Sequence, residues 1–230
     1  MVKVLLYSGG MDSFCLNYLE KPDILLYINL GTEDGKKEIE NLQKLPFKNK
    51  IKIVNLNSLS DFELENKIIP FRNTFLILIA AQFGNEIYLG ATKGDTTKDK
   101  DYVFKSQMES HLNYFALDKN KVNVKDYPYI IHLPFKELTK TQIIRKYLEN
   151  GGSVEDLLKY SRSCYNGKEK ECGICRSCIR KATALVLNNI NIENIFENNP
   201  FSKIDEKMLE RDGESEDYKK VLRKIGKINE

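Results

Sequence analysis

Two constellations in this chain carry residue types that do chemistry. The first is Ser8-Gly9-Gly10-Met11-Asp12-Ser13, which follows the apolar run "KVLLY" and opens a segment of helical pattern. Adjacent glycines cost backbone entropy, so a Gly-Gly pair there implies a positive φ or something approaching the backbone closely. A helix N-terminus points unpaired N–H groups and a partial positive charge outward, and with the glycines this makes a seat for an anion, phosphate above all. No Lys follows as a Walker loop requires, and no third spaced glycine as in the dinucleotide fingerprint. The second constellation is Cys164, Cys172, Cys175 and Cys178, spaced C-x7-C-x2-C-x2-C. Four thiolates in so short a run suit a closed tetrahedral Zn²⁺ site; an iron–sulfur cluster is the other four-cysteine solution. A saturated thiolate site is structural, and it leaves a net charge of about −2. Lys168, Lys170, Arg176, Arg180 and Lys181 lie close in sequence and are expected to offset that charge. Cys15, alone in the first helical segment, reads as core filler.

The elements that must position these residues are legible from hydrophobic pattern. Apolar runs at 2–7, 23–30, 50–56 and 86–91, with 129–134 as a fifth, predict buried parallel strands. The segments "SFCLNYLE", "KKEIENLQKL" and "RNTFLILIAAQFG" between them read as helices, the last so apolar that it is interior. Such alternation predicts an α/β fold, a doubly wound, mostly parallel, Rossmann-like sheet. Ligands of such sheets sit beyond the strand C-termini, where Ser8 to Asp12, Asn29 to Glu33 and Ala91 to Asp95 all fall. Further on, residues 138–152 read as an amphipathic helix capped by Thr139 or Thr141 and stopped at Gly151. Residues 179–189 form a helix leaving the cysteine loop.

The predicted organisation is a nucleotide-binding domain over 1–160, a zinc-binding segment with its packing helix over 161–200, and a charged tail over 201–230. From Lys203 onward there are eight basic and eight acidic residues and few apolar ones, so the tail is expected to fray or to form exposed helix. A net charge of +3, from 36 basic and 33 acidic residues, is too even to argue for nucleic-acid binding by bulk charge. No apolar run approaches membrane-spanning length and no export signal is seen, which places the chain in the cytoplasm, where five cysteines are expected to serve as metal ligands, catalytic groups or core filler and not as disulfides.

Two weaker candidates remain. Arg72 and Asn73 open the interior helix, where they either face the ligand crevice or cap the helix. The loop after the fourth strand offers Lys93, Asp95, Asp99 and Asp101 to metal or substrate, or to solvent alone. His111 and His132 have no partner pattern and read as surface or strand-packing residues.

The pattern Ser-Gly-Gly-x-Asp-Ser resembles the signature of PP-loop ATP pyrophosphatases. Taken with Pro70 to Asn73, with "LPFKELTKTQIIRKYLENGG" and with "SCYNGKEKECGICRSC", it makes residues 2–186 similar to the 7-cyano-7-deazaguanine synthase family of queuosine and deazapurine biosynthesis. The resemblance implies a ligase that converts 7-carboxy-7-deazaguanine and ammonia to the nitrile, using ATP, magnesium and a structural zinc, commonly as a homodimer, with neither membrane nor nucleic acid as partner. It implies catalytic roles for Asp12, Ser13, Asp95 and Arg72, with Asp12 on magnesium. It also implies nucleotide contacts from Ser8, Gly9, Gly10, Met11, Asp12, Ser13, Asn73 and Lys93, and zinc on the four cysteines. Two segments depart from the family. "INLGTEDGKKE" replaces a Tyr-Gly-Gln-x-His type stretch, leaving Glu33 and Asp34 in the acidic role, and "DTTKDKDYVF" keeps Asp95 but lacks the family's arginine. The rival readings are a PP-loop enzyme acting on another carboxylate or on tRNA, and a zinc-knuckle nucleotide-binding adaptor without turnover.

Overall fold

The structure is a computed structural model, and it describes residues 1–116, 128–166, 169–204 and 213–228. The chain divides into two compact units, each discontinuous in sequence. One comprises Met1–Ser8, Glu20–Ala91 and Thr97–Lys136; the other comprises Gly9–Leu19, Thr92–Thr96 and Glu137–Glu230.

The first unit holds a five-stranded sheet, all parallel, of β1 (Lys3–Leu6), β2 (Ile24–Asn29), β3 (Ile51–Asn55), β4 (Glu86–Tyr88) and β5 (Ile130–His132), in the order β3-β2-β1-β4-β5. All five predicted strands are present. Val4 and Leu5, adjacent in the central strand, are both fully buried, so β1 is covered on both faces, as parallel strands are. Order reverses at β1, which places the switch point between β1 and β4. One core cluster joins Val4, Leu26, Ile87 and Ile131 of the strands to Ile77 and Ala80 of helix α3 (Arg72–Ala80) and to Met108 and Leu112 of α4 (Tyr102–Ala116). Helix α3 is interior as its apolar sequence predicts. Helix α4 is not anticipated by the reading of 90–104 as a loop; Asp101 caps it, its Oδ1 accepting the Phe104 N–H at 2.7 Å. Helix α2 (Glu33–Leu42) starts three residues earlier than the apolar pattern suggests, because Thr32 caps it, accepting from the Gly35 N–H. His132 closes β5, stacked on Tyr88 at 4.4 Å; burial lowers its pKa against the pull of Glu86, so the ring is neutral at neutral pH.

The second unit is helical: α1 (Met11–Glu20), α5 (Lys140–Glu149), α6 (Val154–Tyr160), α7 (Arg176–Leu187) and α8 (Ser215–Lys224). Helix α5 begins with a full capping box between Thr139 and Gln142, and Gly151 follows it at φ 86°. The tail departs from expectation. Residues 205–212 and 229–230 lie outside the described residues, but 215–224 is neither frayed nor exposed: Tyr218 and Val221 are fully buried, with Leu222 beside them. These apolar residues fall at i, i+3 and i+4, a stripe that the surrounding charge conceals when only composition is read. The stripe packs α8 on α7, and Val221 joins a core cluster with Cys164, Cys172 and Cys178.

Candidate functional site

The glycine turn is built as the sequence requires. Gly9 has φ 74°, the left-handed region, and the Gly10 carbonyl accepts the Phe14 N–H at 2.9 Å, starting α1. The Ser13 hydroxyl donates to the same carbonyl at 3.0 Å. Met11 is buried. An alanine at Gly9 would hold a left-handed conformation costing about 1–2 kcal/mol, so Gly9→Ala is expected to lower stability by that amount in urea unfolding.

Asp12 lies in the first turn of α1, favourably placed for the helix dipole. Its Oδ2 is paired with the ammonium of Lys140, and Oδ1 is buried with no hydrogen-bond partner among the described residues. Lys140 is a residue that the sequence reading passed over. It is the first residue of α5, where a positive charge opposes the dipole, and its side chain is only 10% exposed. A buried lysine at a helix N-terminus needs anionic partners, and that mismatch was the available signal.

Around Lys140 the unit brings together Thr92 to Asp95 and two arginines. Asp95 closes its own turn, its Oδ2 accepting the Thr92 N–H at 3.0 Å, while Oδ1 lies 3.6 Å from Arg180. The Lys93 N–H donates to the Leu138 carbonyl, and Arg176 donates to the Gly94 carbonyl at 3.3 Å. Arg180 donates to the Thr92 hydroxyl at 2.9 Å and to Glu214 Oε2 at 2.6 Å. Burial alone would lower the arginine's pKa, but the bond and charge of Glu214, with Asp95 and Asp12, raise it instead, so Arg180 is held charged.

Arg72 and Asn73 belong to the first unit. Arg72 is exposed; Asn73 is buried and donates to the Asp99 carbonyl and carboxylate at 3.2 and 2.9 Å, fastening the turn before α4. Glu33 and Asp34 occupy the first turn of α2, with Asp34 3.7 Å from Lys67.

The four cysteines converge, their sulfurs all within 4.8 Å of one another and none in a disulfide. Tetrahedral Zn²⁺ with Zn–S near 2.3 Å sets sulfurs roughly 3.8 Å apart; Cys172 and Cys178 are 3.8 Å apart and Cys175 and Cys178 are 3.5 Å apart. The donor set therefore fits a metal such as zinc. Cys175 stands at the N-cap of α7, putting Cys178 in its first turn. The basic residues expected to offset the thiolates have partners of their own. Lys181 binds Glu171 at 2.5 Å and the Ser161 carbonyl, Arg176 and Arg180 reach residues 92–95, and Lys170 meets Asn194. Lys168 lies outside the described residues. The cysteine loop is tied to the glycine turn, because Arg162 donates its N–H to the Gly9 carbonyl and its guanidinium to the carbonyls of Cys164, Glu169 and Lys170. Cys15 is fully buried, and burial raises its pKa, so it remains a thiol in the core and not a nucleophile.

A parallel α/β sheet whose first strand runs into a positive-φ glycine turn, combined with a cluster of four cysteines that could hold a metal, defines an α/β protein of PP-loop type. The family model described as "Queuosine biosynthesis protein QueC" matches residues 37–189, and the chain belongs to that family. Among curated relatives, the 7-cyano-7-deazaguanine synthase of Campylobacter hominis is 29% identical, covering 77% of this chain and 91% of its own. The enzyme of that name from Methanosphaerula palustris is 30% identical over 77% and 91%, and that from Pyrococcus horikoshii 29% over 80% and 92%. No helix among the described residues is long and apolar enough to cross a membrane.

Proposed function

We propose that this protein is a 7-cyano-7-deazaguanine synthase, an ATP-dependent ligase that converts 7-carboxy-7-deazaguanine and ammonia to the nitrile. The observation that carries the reading is the Gly9 turn opening α1 with Asp12 and Lys140 paired beside it. Backbone N–H groups and the Ser8 and Ser13 hydroxyls would hold the pyrophosphate portion of ATP, and the buried Oδ1 of Asp12 is the oxygen left for magnesium. The carboxylate of the substrate, a poor acceptor, would take AMP from ATP on one oxygen as pyrophosphate leaves; ammonia would displace AMP and lose a proton to give the amide. A second activation of the amide oxygen would let it leave as the nitrile forms. No side-chain nucleophile is required, so positioning and charge stabilisation carry the work, which agrees with Cys15 being buried as a thiol. Lys140 would shift from Asp12 toward the phosphates as negative charge develops there. Zinc would hold the loop of 164–178 and, through Arg162, the back of the glycine turn. The active unit is proposed to be a homodimer in the cytoplasm, with small molecules as its substrates.

The test is incubation with ATP, ammonia and 7-carboxy-7-deazaguanine, followed by mass spectrometry. Nitrile and AMP are expected in ATP-dependent amounts; AMP without nitrile would mean that another carboxylate is the acceptor, and neither product would defeat the reading.

A further inference from the structure

The family match ends at residue 189, yet the described residues beyond it send one carboxylate into the middle of the site. Glu214 is 3% exposed. Its Oε1 accepts the backbone N–H of Lys140 at 2.7 Å, and its Oε2 accepts from Arg180 Nε at 2.6 Å. The first of these bonds satisfies a donor that a helix N-terminus leaves unpaired, and it places negative charge where the dipole favours it. The second holds the guanidinium that grips Thr92 and faces Asp95. Gly213, immediately before it, passes so close to the loop that a Cβ there would stand 2.4 Å from the Lys93 carbonyl oxygen. Helix α8 then anchors the segment through Tyr218 and Val221.

We infer that Glu214 is a positioning residue of the site: the C-terminal segment of this chain sets Lys140 against Asp12 and fixes the 92–95 turn through Arg180. Its catalytic consequence rests on the proposed function, whereas the geometric coupling does not. One carboxylate spans two elements, so its charge is what keeps both in register. With a neutral amide in its place, Arg180 would retain its charge in a buried site with Asp95 as its remaining carboxylate at 3.6 Å, and it would draw the 92–95 turn toward itself.

Two measurements test this. In native-state hydrogen exchange of the wild-type protein, the Lys140 amide, which a first-turn position would otherwise leave unprotected, is expected to open together with the amides of α8 as denaturant rises. Protection of Lys140 that outlives α8, or no protection at all, overturns the coupling, and neither result depends on turnover. In kinetics, Glu214→Gln is expected to lower kcat for AMP release about 10- to 100-fold while KM for ATP moves less than about threefold, the pattern of an interaction lost from the transition state. Glu216→Gln removes the same charge two residues along, from an exposed pair with Lys219, and is expected to leave both parameters unchanged. A Glu214→Gln enzyme with wild-type kcat overturns the positioning role, whereas a wild-type protein that makes no AMP overturns the proposed function instead.

Discussion

Asp12→Ala is expected to reduce ATP turnover a hundredfold or more, the loss of roughly 3 kcal/mol that follows removal of one preorganised contact to developing charge. Two effects combine in that variant. The site loses the carboxylate proposed for magnesium, and the ammonium of Lys140, with a side chain only 10% exposed, loses its partner. Stranding a buried charge costs about 3–5 kcal/mol when burial is complete, and the Lys140 ammonium, 10% exposed on a flexible stem, is expected to cost no more than that by turning toward the space the aspartate leaves. The variant is expected to be less stable but folded. Single-turnover AMP release, with a thermal melt alongside, checks both halves. Unchanged turnover in a folded variant would count directly against the nucleotide reading. Asp12→Asn separates charge from shape, because it keeps the shape of the side chain and removes only its charge, and it is expected to show both effects without a cavity.

The second large effect is expected at the cysteine cluster proposed to hold zinc. Cys175→Ser removes one of four sulfurs that approach one another within 4.8 Å and disturbs the residue that begins α7. Binding of structural zinc contributes about 10–16 kcal/mol in small peptides at neutral pH, so its loss is comparable with the total stability of an ordinary domain, about 5–15 kcal/mol. Zinc content by elemental mass spectrometry is expected to fall from one equivalent toward none, and residues 160–190 to lose amide protection. Because Arg162 joins the cysteine loop to Gly9, the same variant is expected to weaken nucleotide binding without any change in the turn itself. Undiminished zinc in Cys175→Ser would refute the assignment of the ligands.

Much of this was written in the sequence at short range. The glycine turn, the thiolate spacing and the five strands follow from neighbours a few residues apart, where backbone preference and ligand reach are decided locally. What the sequence concealed is long-range pairing. Lys140 and Asp12 stand 128 residues apart and Glu214 and Lys140 stand 74 apart, and no periodicity links such positions. Asn73 is instructive: a polar residue at the start of an interior helix is expected to face ligand or cap its own helix, and its amide also holds the turn at Asp99, a contact that pattern reading cannot foresee. The tail was misjudged for a different reason, since three well-placed apolar residues determine burial while sixteen charged ones dominate the composition.

The discontinuity of the second unit has a bearing on biosynthesis. Its first piece, Gly9–Leu19, is synthesised long before Glu214, which belongs to its last piece. All strands of the sheet can pair while the polypeptide is still being lengthened. The anionic clasp on Lys140 cannot form until Glu214 has been made, so this contact closes after all five strands of the sheet have been synthesised.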